Sequence, residues 1–276
     1  MDRSGEILYD QNSILIVTVL FVLILLAHEA GQRIGMRYQK KTDADVKNQT
    51  NTIQAGTLGL LALILGFTFN MSLERYNDRS LAVIHEANAI GTAMMRTKLL
   101  PRPYDSIEYN LLRKYIDLRL EVSNASQIIV TKQRKLKAET KQLQTRMWLQ
   151  AMNAAKVDPR PVTTGFFIES LNNMIDSQGE RNALLQLHVP EVILFLLFAV
   201  FITAGGLMGY SSGLGNKRTT IPAIIMTFMI SLVVFIIIDL DRPKRGIIKV
   251  NQESMLLLKN TSYSGDKPYR LKSSNS

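Results

Sequence analysis

The chain has 276 residues, of which 46% are hydrophobic and 20% are charged, and its formal net charge is +10. The mean hydropathy of +0.05 hides four long apolar runs, and this segregation argues against both a disordered chain and a simple soluble domain. Cysteine is absent, which excludes disulfides, thiol catalysis and cysteine-ligated zinc. The basic residues are scattered beside the apolar runs and along one polar helix. An anionic membrane surface accounts for this distribution, and we expect no nucleic-acid partner.

Each apolar run is long enough, with its flanks, to cross a lipid bilayer as a helix, which needs roughly 20 mostly apolar residues. The predicted spans are residues 12–30, 54–72, 189–210 and 219–239. Acidic residues precede the first run, and no small-residue cleavage site follows it. We therefore interpret this run as a retained span rather than a signal peptide, and we expect a bacterial plasma (inner) membrane as the location.

Between the first two spans, residues 31–53 are polar and mixed in charge, and Gly31 and Gly35 predict a loop. The second span continues without a proline from Phe67 to Met95. The helix is therefore expected to leave the membrane unbroken and to stop before Pro101.

A second long helical segment, residues 104–155, is predicted from apolar residues at seven-residue spacing. Its part from Lys132 to Arg146 carries six basic residues and breaks the heptad pattern, so it is predicted to project from the main body into water. A return helix over 164–187 leads to the third span. Residues 211–216 are expected to form a polar link, and the tail from Asn260 is expected to be disordered.

These elements predict an all-α, multi-pass membrane protein with four transmembrane helices in two hairpins. The predicted domains are residues 1–72 with the first hairpin, 73–188 with water-exposed long helices, 189–240 with the second hairpin, and 241–276 as a basic tail, disordered toward its end. Seven basic residues flank the spans on one side and eight on the other. The distribution of charge therefore does not choose an orientation.

The stretch in which the second span emerges into water is the most informative. Asn70, Glu74, Asn77, His85 and Asn88 fall close to one helical face, and such a face could line an aqueous vestibule. The alternative is that the helix becomes polar simply because it leaves the bilayer, and that its charged residues form local pairs in water.

Leu63 and Phe67 are one helical turn apart on the apolar part of the same helix. Around a symmetry axis, such residues could form rings that narrow a pore and close it by dewetting. Apolar residues at this spacing also occur on helices that face lipid or pack against neighbours. The spacing alone leaves these alternatives open.

The sequence predicts no metal site and no catalytic site. His85 and Glu86 are adjacent, and neighbours in a helix point to different sides, which disfavours a shared metal ion. Asp239 and Asp241 lack a third carboxylate for calcium, so pairing with Arg242 or with neighbouring arginines is their expected role. The sequence has no nucleophile and base constellation, phosphate loop or dinucleotide fingerprint. We therefore expect no cofactor and no enzymatic activity.

Several separated segments resemble the bestrophin-like proteins, a family of bacterial membrane proteins. The segments are His28-Glu-Ala-Gly-Gln-Arg-Ile-Gly, residues 60–101, Tyr115-Ile-Asp-Leu-Arg-Leu and the closing DLDRPKRGIIKVNQES. The second span and its extension also resemble the bestrophins proper, which are pentameric anion channels with four-span protomers. The resemblance implies self-association, possible pentamers, permeation of anions such as chloride, and a cytoplasmic location for the middle domain and both termini.

The resemblance also implies roles for residues of the second span. The hydrophobic neck of bestrophins is built from residues four apart that end at a Gly-Phe pair, which Leu63 and Phe67 match. Gly59 stands at the third neck position and would widen one ring. Asn70 and Arg75 are similar to polar positions beyond the neck. Candidate residues for the pore mouth are therefore Asn70, Glu74, Arg75 and Asn88.

Two functions remain open at this stage. One is an oligomeric pathway for passive anion permeation, constricted at Leu63 and Phe67. The other is a non-conducting, membrane-anchored helical scaffold or sensor that docks a protein partner through the segment from Lys132 to Trp148. Trp148 is the only tryptophan, and it could anchor such a contact or close a helix-hairpin core.

Overall fold

The computed structural model describes residue 8 and residues 11–124, 130–215, 218–243 and 246–264. This part of the chain contains eight α-helices and no β-strand. The helices are α1 (Ser13–Tyr38), α2 (Ala44–Arg96), α3 (Tyr104–Asn124), α4 (Val130–Val157), α5 (Phe166–Leu184), α6 (Glu191–Leu214), α7 (Thr220–Asp241) and α8 (Glu253–Ser264). Helices α1, α2, α6 and α7 are long and apolar enough to cross a membrane.

The chain divides into two compact units. The first unit comprises Met1–Tyr76 and His188–Lys249, and the second comprises Asn77–Leu187 and Val250–Ser276. Helix α2 is 53 residues long and contributes to both. The helix predicted to continue from the second span to Met95 is therefore confirmed.

In the first unit, α1 and α6 approach so closely that only glycine fits at the contact. A Cβ added to Gly209 would lie 1.9 Å from the backbone oxygen of His28. A Cβ added to Gly31 would lie 2.0 Å from the backbone oxygen of Gly206. Small residues allow helix backbones to meet in this way, and the resulting van der Waals packing stabilises membrane helices.

These contacts correct the prediction for the two polar links. Gly31 and Gly35 do not form a loop, because α1 continues through both residues to Tyr38. Residues 211–214, predicted as part of a link, are the last residues of α6. The glycines serve helix packing rather than chain reversal.

Polar groups at the end of α7 hold neighbouring segments of the first unit together. The Asp239 carboxylate accepts hydrogen bonds from two backbone N–H groups that follow the helix. The Asp241 carboxylate accepts from a backbone N–H just before α6. Arg242 donates to the backbone oxygens of Leu8 and Gln11. This network ties the region before α1 to the end of α7.

The described residues of the second unit share an apolar core. The fully buried side chains of Ile90, Leu112, Met147 and Leu171 come from α2, α3, α4 and α5, and Met255 adds α8. Burial of side chains of this size contributes about 1.5–3 kcal/mol each. Five helices are therefore held in one cooperative unit.

The α4 segment predicted to project into water is packed along one side. Its six basic side chains are exposed, as predicted. However, Leu136 and Leu143 within the same segment are only 4% and 9% exposed, and Lys132 pairs with Glu121 of α3 at 3.0 Å. The prediction that this segment projects from the main body was therefore wrong for its apolar side, because Leu136 is buried and Leu143 belongs to the apolar core.

The C-terminal region contains a helix where a disordered tail was predicted. Asn260 and the residues up to Ser264 belong to α8. The Tyr109 hydroxyl donates to the backbone oxygen of Ser262 at 2.9 Å, and the Tyr263 hydroxyl donates to Asp117 of α3 at 2.6 Å. Residues 265–276, and the predicted helix continuity through residues 125–129, lie outside the described residues.

Candidate functional site

The apolar part of α2 is the least covered of the four candidate spans. In its most apolar stretch 11% of the residues are buried, against 28% in α1 and 33% in each of α6 and α7. Leu63 and Phe67 are 56% and 66% exposed. Gly59 is also exposed, with open space where a side chain would lie. These residues are four apart, so they form one exposed apolar face.

The same face becomes polar at its end. Asn70 and Glu74 follow Phe67 three and seven residues later, and both are exposed. Arg75, the next residue, is half-buried. In the second unit, Asn88 is exposed on the last part of α2. Six of the seven predicted residues are thus exposed, and Arg75 is the exception.

The opposite side of α2 is packed within the first unit. Leu61, Thr68 and Ser72 are 6%, 1% and 0% exposed. The Thr68 hydroxyl donates to the backbone oxygen of Ile64 at 2.7 Å, so its polarity is satisfied within the helix. Helix α2 therefore has one side fixed by packing and one side available to another copy, to lipid or to water.

A buried ion cluster anchors the last part of α2 in the second unit. The Glu86 carboxylate lies 2.5 Å from Arg119 Nε and 2.6 Å from an Arg181 nitrogen, and the three side chains are 0%, 3% and 7% exposed. Two guanidinium groups and one carboxylate leave one excess positive charge in the interior. Burial lowers the pKa of Arg181, and Arg119 adds to this while Glu86 opposes it. The guanidinium remains protonated at neutral pH.

Hydrogen bonds of the cluster and of the nearby Tyr115 reach further segments of the second unit. Arg181 also donates to the side-chain oxygen of Gln252, which precedes α8, at 2.9 Å. The hydroxyl of Tyr115 accepts a hydrogen bond from Gln144 of α4 at 3.3 Å, and burial raises the pKa of Tyr115. Polar contacts thus connect α2, α3, α4, α5 and the start of α8.

Sequence reasoning missed this cluster, because it considered Glu86 only as a metal donor beside His85. A usable signal was present in the helical register. Glu86 shares a face of α2 with Ala82, Ile90 and Ala93, which are all buried. A carboxylate on a buried face needs a cationic partner.

Arg79 is buried as well. In one of the two alternatives for this stretch, the charged residues beyond the second span, Arg79 among them, form local pairs in water, yet the Arg79 side chain is 2% exposed. Its guanidinium donates to the backbone oxygens of Leu184 and Leu187, at 3.3 and 2.6 Å. Arg79 therefore satisfies carbonyl groups at the C-terminal end of α5, which a helix leaves without partners of its own.

Comparison with known proteins identifies both the family and the fold. A family model described as Bestrophin-like domain matches residues 16–255. Crystal structures of three point variants of a bacterial bestrophin homologue from Klebsiella pneumoniae have the same fold. Their TM-scores are 0.68, 0.65 and 0.60, at 12%, 13% and 12% sequence identity. The matches cover 90%, 92% and 88% of this chain and 98%, 96% and 97% of the homologue. No curated protein matches the chain.

Proposed function

Because this chain belongs to the bestrophin-like family, we propose that it forms an oligomeric anion channel in the bacterial plasma membrane. Several copies, five by analogy with the bestrophins, surround a pore lined by the exposed face of α2. Inorganic anions such as chloride pass through it passively, and the protein has no catalytic role.

The exposed face of α2 is the observation that carries this proposal. Two turns of apolar surface are followed on the same face by Asn70 and Glu74. Asn70 lies within the predicted span, and an amide that faces lipid one turn from Phe67 would be costly, because hydrocarbon cannot solvate it. Water along a central axis would hydrate this amide, and Glu74 follows where the helix leaves the bilayer. An axial position therefore suits the apolar and polar parts of this face together.

In this arrangement, Leu63 and Phe67 from each copy form a hydrophobic constriction that gates by dewetting. Gly59 leaves the pore wider one turn away. Asn70 offers amide N–H groups to an anion that has lost part of its hydration shell. The charge of Arg75 raises the local anion concentration, while Glu74 and Asn88 line the mouth of the pore.

We further propose that the second unit and both termini are cytoplasmic. This orientation places eight basic residues beside the spans on the cytoplasmic side, against seven for the opposite orientation. The charge difference is small, and the family relationship is the stronger support. In the sequence, the two hairpins then flank the Asn77–Leu187 part of the second unit, and its Val250–Ser276 part follows the second hairpin.

The proposal is tested by anion flux into liposomes that contain the purified protein. The test variant is Leu63→Ala with Phe67→Ala, which replaces the constriction by a wider and less apolar one. We expect faster anion flux, because a wider and less apolar constriction stays filled with water more of the time. The matched control is Ile225→Ala with Phe228→Ala on α7, where the side chains are 59% and 58% exposed. The control should conduct like the unchanged protein.

Equal flux in the unchanged protein and the α2 variant would remove Leu63 and Phe67 from the gate. No flux from either, in protein shown to be folded and oligomeric, would contradict the channel proposal. That outcome would favour the scaffold or sensor function instead.

A further inference from the structure

Helices α4 and α5 form an antiparallel pair in the second unit. A turn at Pro161–Gly165 precedes α5, and the Gln144 amide of α4 donates to the side-chain oxygen of Gln178 on α5 at 3.2 Å. This bond fixes the register of the two helices: residue 144 lies beside residue 178, and positions before 144 lie beside positions after 178.

The outer face of α4 is basic in one half and apolar in the other. Arg134, Lys137 and Lys141 are exposed at spacings that keep them on one side of the helix. Leu149 and Met152 continue the same line and are 57% and 44% exposed. The outer face of α4 therefore offers a charged row and, beyond it, two exposed apolar side chains.

The outer face of α5 has the complementary pattern. Glu169, Asp176 and Glu180 are exposed at spacings of seven and four residues, which places them on one side of the helix. Phe166, at the start of the helix, is 44% exposed. The face is therefore apolar at its beginning and acidic beyond it.

The two patterns are in register. Given the bond between residues 144 and 178, Lys141 and Glu180 differ in level by about one residue, or roughly 1.5 Å along the helices. Met152 lies toward the end of the pair at which Phe166 is found. Among the residues that the structure describes, Lys141, Asp176 and Glu180 form no ion pair, whereas Glu169 contacts Arg96 at 3.5 Å.

We propose that the outer face of α4 in one copy docks against the outer face of α5 in a neighbouring copy of this chain. The inference rests on the proposed function, because it supplies a contact for the proposed oligomer. Rotation about an axis parallel to the helix pair leaves the position of each residue along that axis unchanged. Residues at the same height on α4 of one copy and α5 of the next therefore face each other. Lys141 then meets Glu180, and Met152 lies near Phe166. The two faces differ, so the contact is heterologous, the type from which closed rings are built.

The charges in this contact set the orientation of the copies, and the apolar end provides the buried surface. Solvent-exposed ion pairs add little affinity. Opposite charges nevertheless favour the correct register of the two copies, because a shifted register would bring like charges together. A second copy is the occupant because one chain carries both halves of the pattern at matching levels.

The absence of cysteine from the chain allows a direct test. A Lys141→Cys copy with one affinity tag is co-expressed with a Glu180→Cys copy with another, and the membranes are treated with a short bis-maleimide. Any product that carries both tags joins two chains. We expect a band at twice the 31.1 kDa mass of the chain. A Lys114→Cys copy, exposed on α3, replaces the Lys141→Cys copy as the control and should give no such band.

Charge reversal supplies a second measurement. Lys141→Glu chains combined with unchanged chains place two carboxylates at the contact, so fewer complexes should carry both tags. Combining Lys141→Glu chains with Glu180→Lys chains restores opposite charges and should raise the yield of complexes that carry both tags. Light scattering of the detergent-solubilised protein reports the oligomer in parallel. An oligomer without the expected band above the control level would overturn this interface and leave the channel proposal standing. A folded monomer would overturn both.

Discussion

At the residue scale, the second unit buries one carboxylate with two cations and another with none. The Glu86 carboxylate is held by Arg119 and Arg181. Glu108 of α3 is also 0% exposed, and neither of its carboxyl oxygens has a hydrogen-bond partner among the described residues. The two buried groups therefore differ in protonation. Glu86 is ionised and paired with two guanidinium groups, whereas Glu108 stays protonated and uncharged at neutral pH.

Glu86→Gln should strongly destabilise the second unit, because it leaves two buried guanidinium groups without their counter-charge. Breaking a buried pair in this way costs roughly 3–5 kcal/mol. Urea unfolding in detergent, followed by the fluorescence of Trp148, measures the change, since this single tryptophan packs against the core. The control is Glu169→Gln, whose ion pair with Arg96 is 3.5 Å long and solvated. The control should change stability by about 0.5 kcal/mol or less, and an equal effect of both variants would contradict the assignment.

Glu108 should make the stability of the second unit depend on pH. Burial raises the pKa of Glu108 from 4.5 to about 8. Between these values the folded state holds a proton that the unfolded state has lost, so stability falls as pH rises, by about 1.4 kcal/mol per pH unit. Below this window both states are protonated, and above it both are ionised.

Glu108→Gln should remove this slope, because an amide does not titrate. Unfolding free energies measured from pH 5 to pH 8 provide the comparison, with Glu121→Gln on the exposed side of α3 as the matched variant that retains the slope. A slope that persists unchanged in Glu108→Gln would assign the dependence to another group.

The sequence indicates the residues of the exposed α2 face but not the partners of the buried residues. Helical spacing places Asn70 on one face with Glu74, and the resemblance to bestrophins, rather than spacing alone, selects Leu63 and Phe67. The partners of Glu86 lie 33 and 95 residues away along the chain, and periodicity within one helix contains no information about them. Charge on a buried face indicates that a partner exists without identifying it.

At the element scale, the crossing of α1 and α6 shows why the loop prediction failed. Gly31 and Gly35 are four residues apart, and Gly205, Gly209 and Gly213 repeat that spacing. Glycines at four-residue spacing fall on one face of a helix and leave that face without side chains, so this pattern indicates a helix-packing surface rather than a loop. In water the same residues would weaken a helix. Between membrane helices, the close backbone approach offsets that cost.

Gly209→Ala should disrupt this crossing, because its Cβ would lie 1.9 Å from the backbone oxygen of His28. A backbone atom cannot rotate away, so the helices must separate, at a cost of about 1–3 kcal/mol or more. Gly206→Ala is the matched control in the same helix, with 3.7 Å to its nearest neighbour. Thermal unfolding in detergent should show a lower midpoint for Gly209→Ala only. Equal midpoints would show that the crossing is looser than described.

At the scale of the whole molecule, a side chain that is exposed in one copy can face lipid, another copy or a water-filled pore. The exposed side chains of α7 and of the apolar part of α2 are both hydrophobic, so either set could face lipid. The four spans were predictable because hydrophobicity and length are properties of each segment. The side of a span that faces an axis is a property of the assembly, so apolar residues alone cannot reveal it. Helix α2 differs from the other candidate spans in the small buried share of its most apolar stretch, 11% against 28% or more, and its exposed face continues through Asn70 and Glu74.

Cysteines introduced into this cysteine-free chain should distinguish the axis from the lipid. Asn70→Cys and Phe67→Cys are expected to react with a charged, membrane-impermeant thiol reagent, because thiolates form and react in water. Attachment of a negatively charged group should then reduce anion flux. Ile225→Cys and Phe228→Cys on α7 are similarly exposed in a single copy, yet they should stay unmodified because hydrocarbon surrounds them. Equal modification at both helices would mean that α2 does not line a separate aqueous path. Modification at Asn70 without modification at Phe67 would place the closed gate between those two residues.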